Sequence, residues 1–65
     1  MNWDQIEGTW KQLKGKAVET WGDLTDDEWD KVKGKREQMV GLLQTKFGKA
    51  KDDAEKSVDD WSKSL

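Results

Sequence analysis

The chain has 65 residues, 40% charged and 32% hydrophobic, and its 12 basic and 14 acidic side chains leave a net charge of −2. Because it contains no Cys and no His, we exclude disulfides, thiolate or imidazole metal sites, and catalysis by Cys or His. No apolar run exceeds two residues, and polar Asn2 and Asp4 lie at the start of the chain, so we expect no transmembrane segment, no secretory signal and a cytoplasmic location.

The first predicted helix begins near residue 3 and ends at the Trp21-Gly22 pair. Its apolar side chains recur every three or four residues and so share one helix face. They are Trp3, Ile6, Trp10, Leu13, Ala17 and Trp21. Asn2 with Gln5 predicts a capping box at the start, and Gly8 predicts a break between helical pieces. Glycine at position 22 is typical of a helix end.

A second helical segment follows, from Thr25 to the Phe47-Gly48 pair. Thr25 with Glu28 predicts another capping box at its start. Its apolar stripe consists of Trp29, Val32, Met39, Leu43 and Phe47. Gly34 predicts a break into two helices, and one continuous helix is the alternative.

The last predicted helix carries the apolar stripe Ala54, Val58, Trp61 and Leu65. We expect Asp52 with Glu55 to cap its start. No stretch alternates with the period of a strand, so the sequence predicts an all-α fold, a small bundle of four or five short helices.

An internal duplication is the strongest pattern in the chain. A shift of 26 residues aligns all six glycines in pairs: Gly8 with Gly34, Gly15 with Gly41 and Gly22 with Gly48. The same shift pairs the acids at 26–27 with those at 52–53. A repeat of this size is typical of a repeated supersecondary unit. We therefore predict a single domain over residues 1–65, built as two packed helical hairpins related by an approximate twofold.

Gly15 and Gly41 need a separate explanation, because a glycine inside an exposed helix costs about 1 kcal/mol relative to alanine. The favoured interpretation is close packing where helices or termini cross. Two functional alternatives are a notch for a partner's backbone and a deliberate weakening of the helices that keeps folding conditional.

The charges form blocks along residues 23–36. Five acids (Asp23, Asp26, Asp27, Glu28 and Asp30) precede four bases (Lys31, Lys33, Lys35 and Arg36). Acids at a helix start and bases beyond it interact favourably with the helix dipole, which explains most of this pattern. A carboxylate cluster also suggests Ca²⁺, but the 12-residue calcium loop is missing and the sequence predicts no metal.

Two further patterns suggest a binding function. Lys11, Lys14 and Lys16 lie near Trp10 and Trp21, as in a nucleic-acid site, but both tryptophans belong to the apolar stripe and the neighbouring acids would repel phosphate. We therefore disfavour nucleic acid. The amphipathic first helix resembles an interfacial membrane helix, although the same stripe is what a bundle needs.

The sequence offers no catalytic constellation. The serines (Ser57, Ser62 and Ser64) have no histidine to activate them, and no phosphate-cradling glycine loop occurs. We predict no enzyme, no catalytic, cofactor or metal residue, and no small-molecule substrate. The default is a monomer, because the bundle core uses the apolar stripes.

The sequence resembles the CsbD-like family of small bacterial stress-response proteins. The residues that carry the resemblance extend over nearly the whole chain: Trp10, Lys14-Gly15-Lys16, Glu19, Trp21-Gly22, Leu24-Thr25-Asp26-Asp27, Gly34-Lys35, Gly41, Gln44, Phe47-Gly48, Ala54-Glu55 and Trp61. Phe47 departs from the tyrosine that is common in the family. The resemblance implies a bacterial cytoplasmic protein made under general stress, with a bundle of four or five helices and no defined molecular activity.

Two functions are compatible with these features. The first is a protectant that shields other macromolecules, which the mean hydropathy of −1.13 and the absence of Cys favour. The second is a pre-folded interaction module for a protein or nucleic acid, which the five tryptophans favour. The sequence identifies no partner.

Overall fold

The computed structural model describes residues 1–65 and confirms the predicted all-α bundle. Its elements are α1 (Trp3–Gly8), a 3-10 helix (Trp10–Leu13), α2 (Lys14–Trp21), α3 (Asp26–Val32), α4 (Arg36–Phe47) and α5 (Lys51–Ser64). Helix α5 packs along α4, and α4 packs against α3. None of these helices combines the length and the apolar character needed to cross a bilayer.

Both predicted capping boxes are confirmed. The Asn2 side chain accepts from the Gln5 amide at 2.9 Å, and the Gln5 side chain accepts from the Asn2 amide at 3.2 Å. Thr25 and Glu28 make the equivalent pair of bonds at 3.1 and 3.0 Å. Each box satisfies two backbone amides that a helix start otherwise leaves unbonded.

The predicted cap of the last helix is wrong. Helix α5 begins at Lys51, preceded by Ala50 in an extended conformation with no side-chain cap. The Ala54 amide already bonds the Ala50 carbonyl at 2.9 Å, so Asp52 lies inside the first turn. There the carboxylates of Asp52 and Asp53 interact with the helix dipole instead of capping it.

Glycines end two helices as predicted. Gly48 follows α4 in the left-handed region, with φ 67° and ψ 24°. Gly22 follows α2 with φ 95° and ψ −146°, a positive-φ conformation outside the left-handed helical region that is essentially restricted to glycine.

Two breaks separate the helical pieces, and both were predicted. Helix α1 ends at Gly8, and after Thr9 the chain continues through the 3-10 helix into α2. The second break lies at Lys33 and Gly34, whose φ angles are 56° and 72°, so the alternative of one continuous helix is wrong. Gly34 is buried, and a Cβ placed on it would lie 2.5 Å from Glu7 Cα.

The core contains the apolar stripes of all the helices. Its buried members are Ile6, Trp10, Leu13, Ala17, Leu24, Trp29, Val32, Met39, Val40, Leu43, Ala54, Val58 and Trp61. Trp3, Trp21, Phe47 and Leu65, also predicted to be on the stripes, are partly buried against it. Removal of these apolar surfaces from water is the main favourable contribution to folding.

The helix bounds follow the 26-residue shift of the sequence. Residues 10–21 are helical from the 3-10 helix through α2, and the same residues displaced by 26 positions form α4, Arg36–Phe47. The duplication itself and its twofold relation stay predictions, because equal helix bounds describe local structure only.

Five ion pairs join different elements of the bundle, and the longest is that of Arg36 in α4 with Glu55 in α5, at 3.8 Å. Lys14 of α2 bonds Asp26 of α3 at 2.5 Å, and Lys46 of α4 bonds Glu28 of α3. Lys35, which precedes α4, bonds Glu7 of α1 at 2.7 Å. Arg36 of α4 makes two parallel bonds to Asp59 of α5, at 2.8 and 3.0 Å. All these pairs remain at least partly accessible to solvent, and such surface pairs contribute about 0–1 kcal/mol each, so apolar burial is the larger effect.

The favoured explanation for two glycines is also wrong. A Cβ built on Gly15 or Gly41 would meet no atom within 4 Å outside its own helix, so neither position is a site of close packing. The notch for a partner and the weakening of the helices remain open as explanations.

Candidate functional site

The five tryptophans form one aromatic cluster, which we call the tryptophan cluster. Trp10 and Trp29 stack at its centre, with ring centroids 3.6 Å apart and planes inclined by 7°. The Trp10 indole nitrogen donates to the Trp29 carbonyl at 2.6 Å, and the Trp29 indole nitrogen donates to the Trp10 carbonyl at 2.7 Å. The stack therefore buries two large rings with both of their polar atoms satisfied.

Trp61 of α5 meets this stack edge-on. Its ring centroid lies 6.3 Å from Trp10 and 6.2 Å from Trp29, with interplanar angles of 87° and 90°. This is the T-shaped arrangement that aromatic quadrupoles favour. The Trp61 indole nitrogen is buried and has no hydrogen-bond partner.

The outer rings of the tryptophan cluster are half-buried. Trp21 lies 5.3 Å from Trp61 and Trp3 lies 6.5 Å from it. An open groove of about 380 Å³ runs beside Trp21 and Trp61, and its other lining residues are Thr20, Lys49, Ser57, Asp60 and Ser64. The groove therefore combines two aromatic side chains with polar and charged groups.

The largest groove, of about 630 Å³, lies between the C-terminal ends of α1 and α3. Its charged lining residues are Glu7, Lys11, Asp30 and Lys33, two of each sign. The Thr9 hydroxyl in this groove donates to the Gln5 carbonyl at 3.0 Å. The hydroxyl is therefore engaged with the backbone and is not activated as a nucleophile. The positive and negative charges that line the groove balance each other.

The tryptophan and lysine side chains of the nucleic-acid hypothesis do not form a joint binding site. Trp10 is buried in its stack, so its faces are not available for a base. Lys11 and Lys14 line a groove together with Asp26 and Asp30, and Lys14 is bonded to Asp26. A phosphate at these lysines would meet two carboxylates.

The predicted acidic block is mainly engaged in helix start and ion-pair contacts. The Lys46 ammonium, followed by the Thr25 backbone amide, lowers the pKa of Glu28 to about 2. Hydrogen bonding from Lys14 lowers the pKa of Asp26. No three acidic side chains of the chain converge closely enough to hold a metal ion.

Two of the C-terminal serines donate hydrogen bonds to carbonyls of their own helix. The Ser62 hydroxyl donates to the Asp59 carbonyl and the Ser64 hydroxyl to the Trp61 carbonyl, each at 2.8 Å. Ser57 lines the groove beside Trp61. Nothing in this arrangement points to catalysis.

Sequence reasoning missed the contacts that join distant parts of the chain, and two of them show why. It assigned Trp10 and Trp29 to separate apolar stripes, and no local pattern indicates that their indoles bond each other's carbonyls. It also missed the bond between Arg36 and Asp59, which are 23 positions apart. Only the three-dimensional packing of α4 on α5 places these two groups together.

Comparison with known proteins identifies relatives over nearly the whole chain. The CsbD-like family profile matches residues 4–56. The chain is similar to the UPF0337 protein YjbJ of Escherichia coli O6:H1, with 54% identity over 97% of this chain and 91% of that protein. It is also similar to the UPF0337 protein RPA4217 of Rhodopseudomonas palustris, with 51% identity over 100% of this chain and 98% of that protein. These names state no activity, and no solved structure gives a significant match.

Proposed function

This chain belongs to the CsbD-like family, and from that premise we propose that it is a bacterial stress-response protein that protects other macromolecules and is not an enzyme. We propose further that it acts in the cytoplasm and as a monomer. Its mean hydropathy of −1.13 supports a role in which the protein remains dissolved while others precipitate.

The observation that carries this proposal is the surface. Among the large apolar side chains, only Met1 and Val18 are exposed, at 41% and 36% of their area. Binding surfaces usually contain aromatic or arginine anchors seated among apolar neighbours. Here the three most central tryptophans are buried, and charged side chains of both signs cover the outside. Such a surface suits weak, non-specific contact with many clients.

The glycines of α2 and α4 support the same proposal. Gly15 and Gly41 lie in open space, where a glycine weakens its helix without providing a contact. Helices that are easily lost allow the chain to adapt to irregular surfaces when water is scarce. Segments of low hydrophobicity can gain order on contact with another surface.

A drying experiment tests the proposal. A labile enzyme is dried and rehydrated with this protein, or with an equal mass of an unrelated globular protein, and its recovered activity is measured. We expect higher recovery with this protein, and the same recovery with the Lys16→Glu variant, because Lys16 is exposed and makes no ion pair. Recovery equal to the unrelated protein would contradict the proposal.

The second candidate is a pre-folded interaction module, and one observation favours it. The tryptophan cluster is fully assembled in the free chain, and the half-buried Trp21 borders the groove that contains Lys49, Ser57 and Asp60. If protection in the drying experiment depends on docking through this groove, one change there, such as Asp60→Lys, should abolish the protection. A protectant without a docking site should keep it, so this variant separates the two candidates.

A further inference from the structure

The corner between α3 and α4 has a strained backbone. Lys33 is the single non-glycine residue with a positive φ, at 56°, and Gly34 follows it with φ 72°. In this conformation the Cβ lies close to the neighbouring carbonyl oxygen, which disfavours the conformation for a lysine. The closed corner therefore places one lysine in an unfavourable conformation.

Helix α1 holds this corner closed. Gly34 is buried against Glu7, where a Cβ would lie 2.5 Å from Glu7 Cα and 2.9 Å from Glu7 Cβ. Lys35 adds two bonds from its ammonium to the Glu7 carboxylate, at 3.0 and 2.7 Å. No larger residue fits at position 34 unless the corner moves away from α1.

The sequence across the corner is compatible with a straight helix. The apolar side chains of Trp29, Val32, Met39 and Leu43 continue at helical spacing through positions 33–35, and no proline interrupts them. In a straight helix through this corner, the four side chains would therefore still lie on one face.

Straightening would divide the chain into two halves, residues 1–32 and 36–65. Each half keeps internal contacts: the Trp10–Trp29 stack and the Lys14–Asp26 pair in the first, and the Arg36–Asp59 bonds in the second.

The contacts between the halves would be lost on straightening. Trp61 would leave the Trp10–Trp29 stack, Lys46 would leave Glu28, and the Met1 ammonium would leave the Ser62 carbonyl. Their apolar faces would then be exposed to water. Within one chain, the surface that fits the α4–α5 half in shape and charge is the α1–α3 half. A second copy of the chain carries the same surface.

We propose that the α3–α4 corner is an exchange hinge through which two copies of this chain pair, the α4–α5 half of each packing on the α1–α3 half of the other. Exchange reproduces the contacts between the halves in trans and relieves the conformation of Lys33. The loss of translational freedom opposes it, so the paired form should increase with protein concentration.

A pair of glycine variants tests the hinge. Gly34→Ala and Gly48→Ala each place a side chain at positive φ, but only position 34 has the Glu7 backbone in its way. At high protein concentration we expect Gly34→Ala to have twice the monomer mass by light scattering, with the helical circular dichroism of the wild type. Gly48→Ala should remain a monomer. A monomeric or an unfolded Gly34→Ala protein would overturn the proposal.

A mixing experiment tests the exchange independently of position 34. Glu28→Lys and Lys46→Glu each place like charges together in the closed monomer and in a dimer of identical chains. An exchanged dimer of the two variants restores both pairs. After joint refolding we expect several times more dimer than from either variant alone, measured by native mass spectrometry.

The matched control uses a pair inside one half. Lys14→Glu and Asp26→Lys disrupt an ion pair that exchange leaves within the same chain, so mixing these variants should not raise the dimer fraction. Equal dimer fractions in the two mixtures would overturn the exchange.

Discussion

Trp10 and Trp29 bond each other's backbone. Each indole nitrogen donates to the other residue's carbonyl, at 2.6 and 2.7 Å, while the two rings stack 3.6 Å apart. The 3-10 helix and α3 are thereby joined at the centre of the core by two hydrogen bonds in addition to apolar contact. Because each residue both donates and accepts, the loss of either side chain leaves a buried carbonyl without its donor.

Replacement of this stack should be the most damaging of the tryptophan changes. We expect Trp29→Phe to lower the free energy of unfolding by about 2–4 kcal/mol, because it removes ring contact and the indole donor to the Trp10 carbonyl. Urea denaturation followed by circular dichroism measures the change. Trp3→Phe is the control, since Trp3 is half-buried and its indole makes no hydrogen bond. Equal losses in the two variants would contradict a special role for the bonded stack.

Trp61→Phe should lower the stability less than the central position of Trp61 suggests. Trp61 is 4% exposed, yet its indole nitrogen has no acceptor, and an unsatisfied buried donor costs about 1–3 kcal/mol. Phenylalanine removes this donor and keeps an aromatic edge toward Trp10 and Trp29. We expect the loss of stability to be at least about 1 kcal/mol smaller than that of Trp29→Phe in the same denaturation experiment. A larger loss would mean that ring volume outweighs the unsatisfied donor.

The helix caps differ in importance. Thr25→Ala should lower the free energy of unfolding by about 0.5–2 kcal/mol, because the Thr25 hydroxyl accepts from the Glu28 amide. Asp52→Ala should cost less than about 0.5 kcal/mol, because Asp52 lies within the first turn of α5 and only interacts with its dipole. Thermal melts of both variants provide the comparison. An equal effect would contradict the start of α5 at Lys51.

Most local features of this fold could be predicted from the sequence, although the cap assigned to Asp52 is wrong. The caps at Asn2 and Thr25, the breaks at Gly8 and Gly34, and the end at Gly48 depend on residues within four positions of each other, where backbone preferences dominate. The apolar stripes follow from helical periodicity for the same reason.

Features that depend on distant residues could not be predicted. The bonds between Trp10 and Trp29 and between Arg36 and Asp59 join positions 19 and 23 apart, and periodicity carries no information on which helices meet. The prediction for Gly15 failed because it assigned a packing contact to a residue that lies in open space. The grooves could not be predicted either, because the charged residues that line each of them come from separate segments of the chain.

Acid should destabilise the protein between about pH 4.5 and about pH 2. The pKa of Glu28 falls from its ordinary 4.5 to about 2 in the folded state, through the bonds from Lys46 and Thr25. The pKa values of Asp26 and Asp59 are also lowered, by Lys14 and Arg36. Below the ordinary values the unfolded chain binds more protons than the folded one, so stability is lost as pH falls.

Melting temperatures measured across this range check the direction. They should be nearly constant from about pH 5 to about pH 8, because the chain has no His or Cys to titrate there, and fall below about pH 4.5. Glu28→Gln should fall less steeply, since glutamine keeps the capping geometry but binds no proton. Identical melting temperatures at neutral pH and at about pH 3 would contradict the role of these carboxylates.

Gly15→Ala and Gly41→Ala should each stabilise the protein. Alanine is favoured over glycine in a helix by about 1 kcal/mol, and a Cβ at either position meets no atom within 4 Å outside its own helix. The expected result is a rise of about 1 kcal/mol in the free energy of unfolding for each variant, measured by urea denaturation, and about twice that for the double variant.

Gly22→Ala is the matched control, because its φ of 95° is unfavourable for alanine although the space around it is equally open. We expect that variant to be destabilised, which would separate the effect of backbone conformation from that of added volume. If the stabilised double variant also protects a dried enzyme less well than the wild type, the glycines serve the protective function by keeping the helices weak. Unchanged stability in both single variants would mean that α2 and α4 are not the cooperative part of the fold.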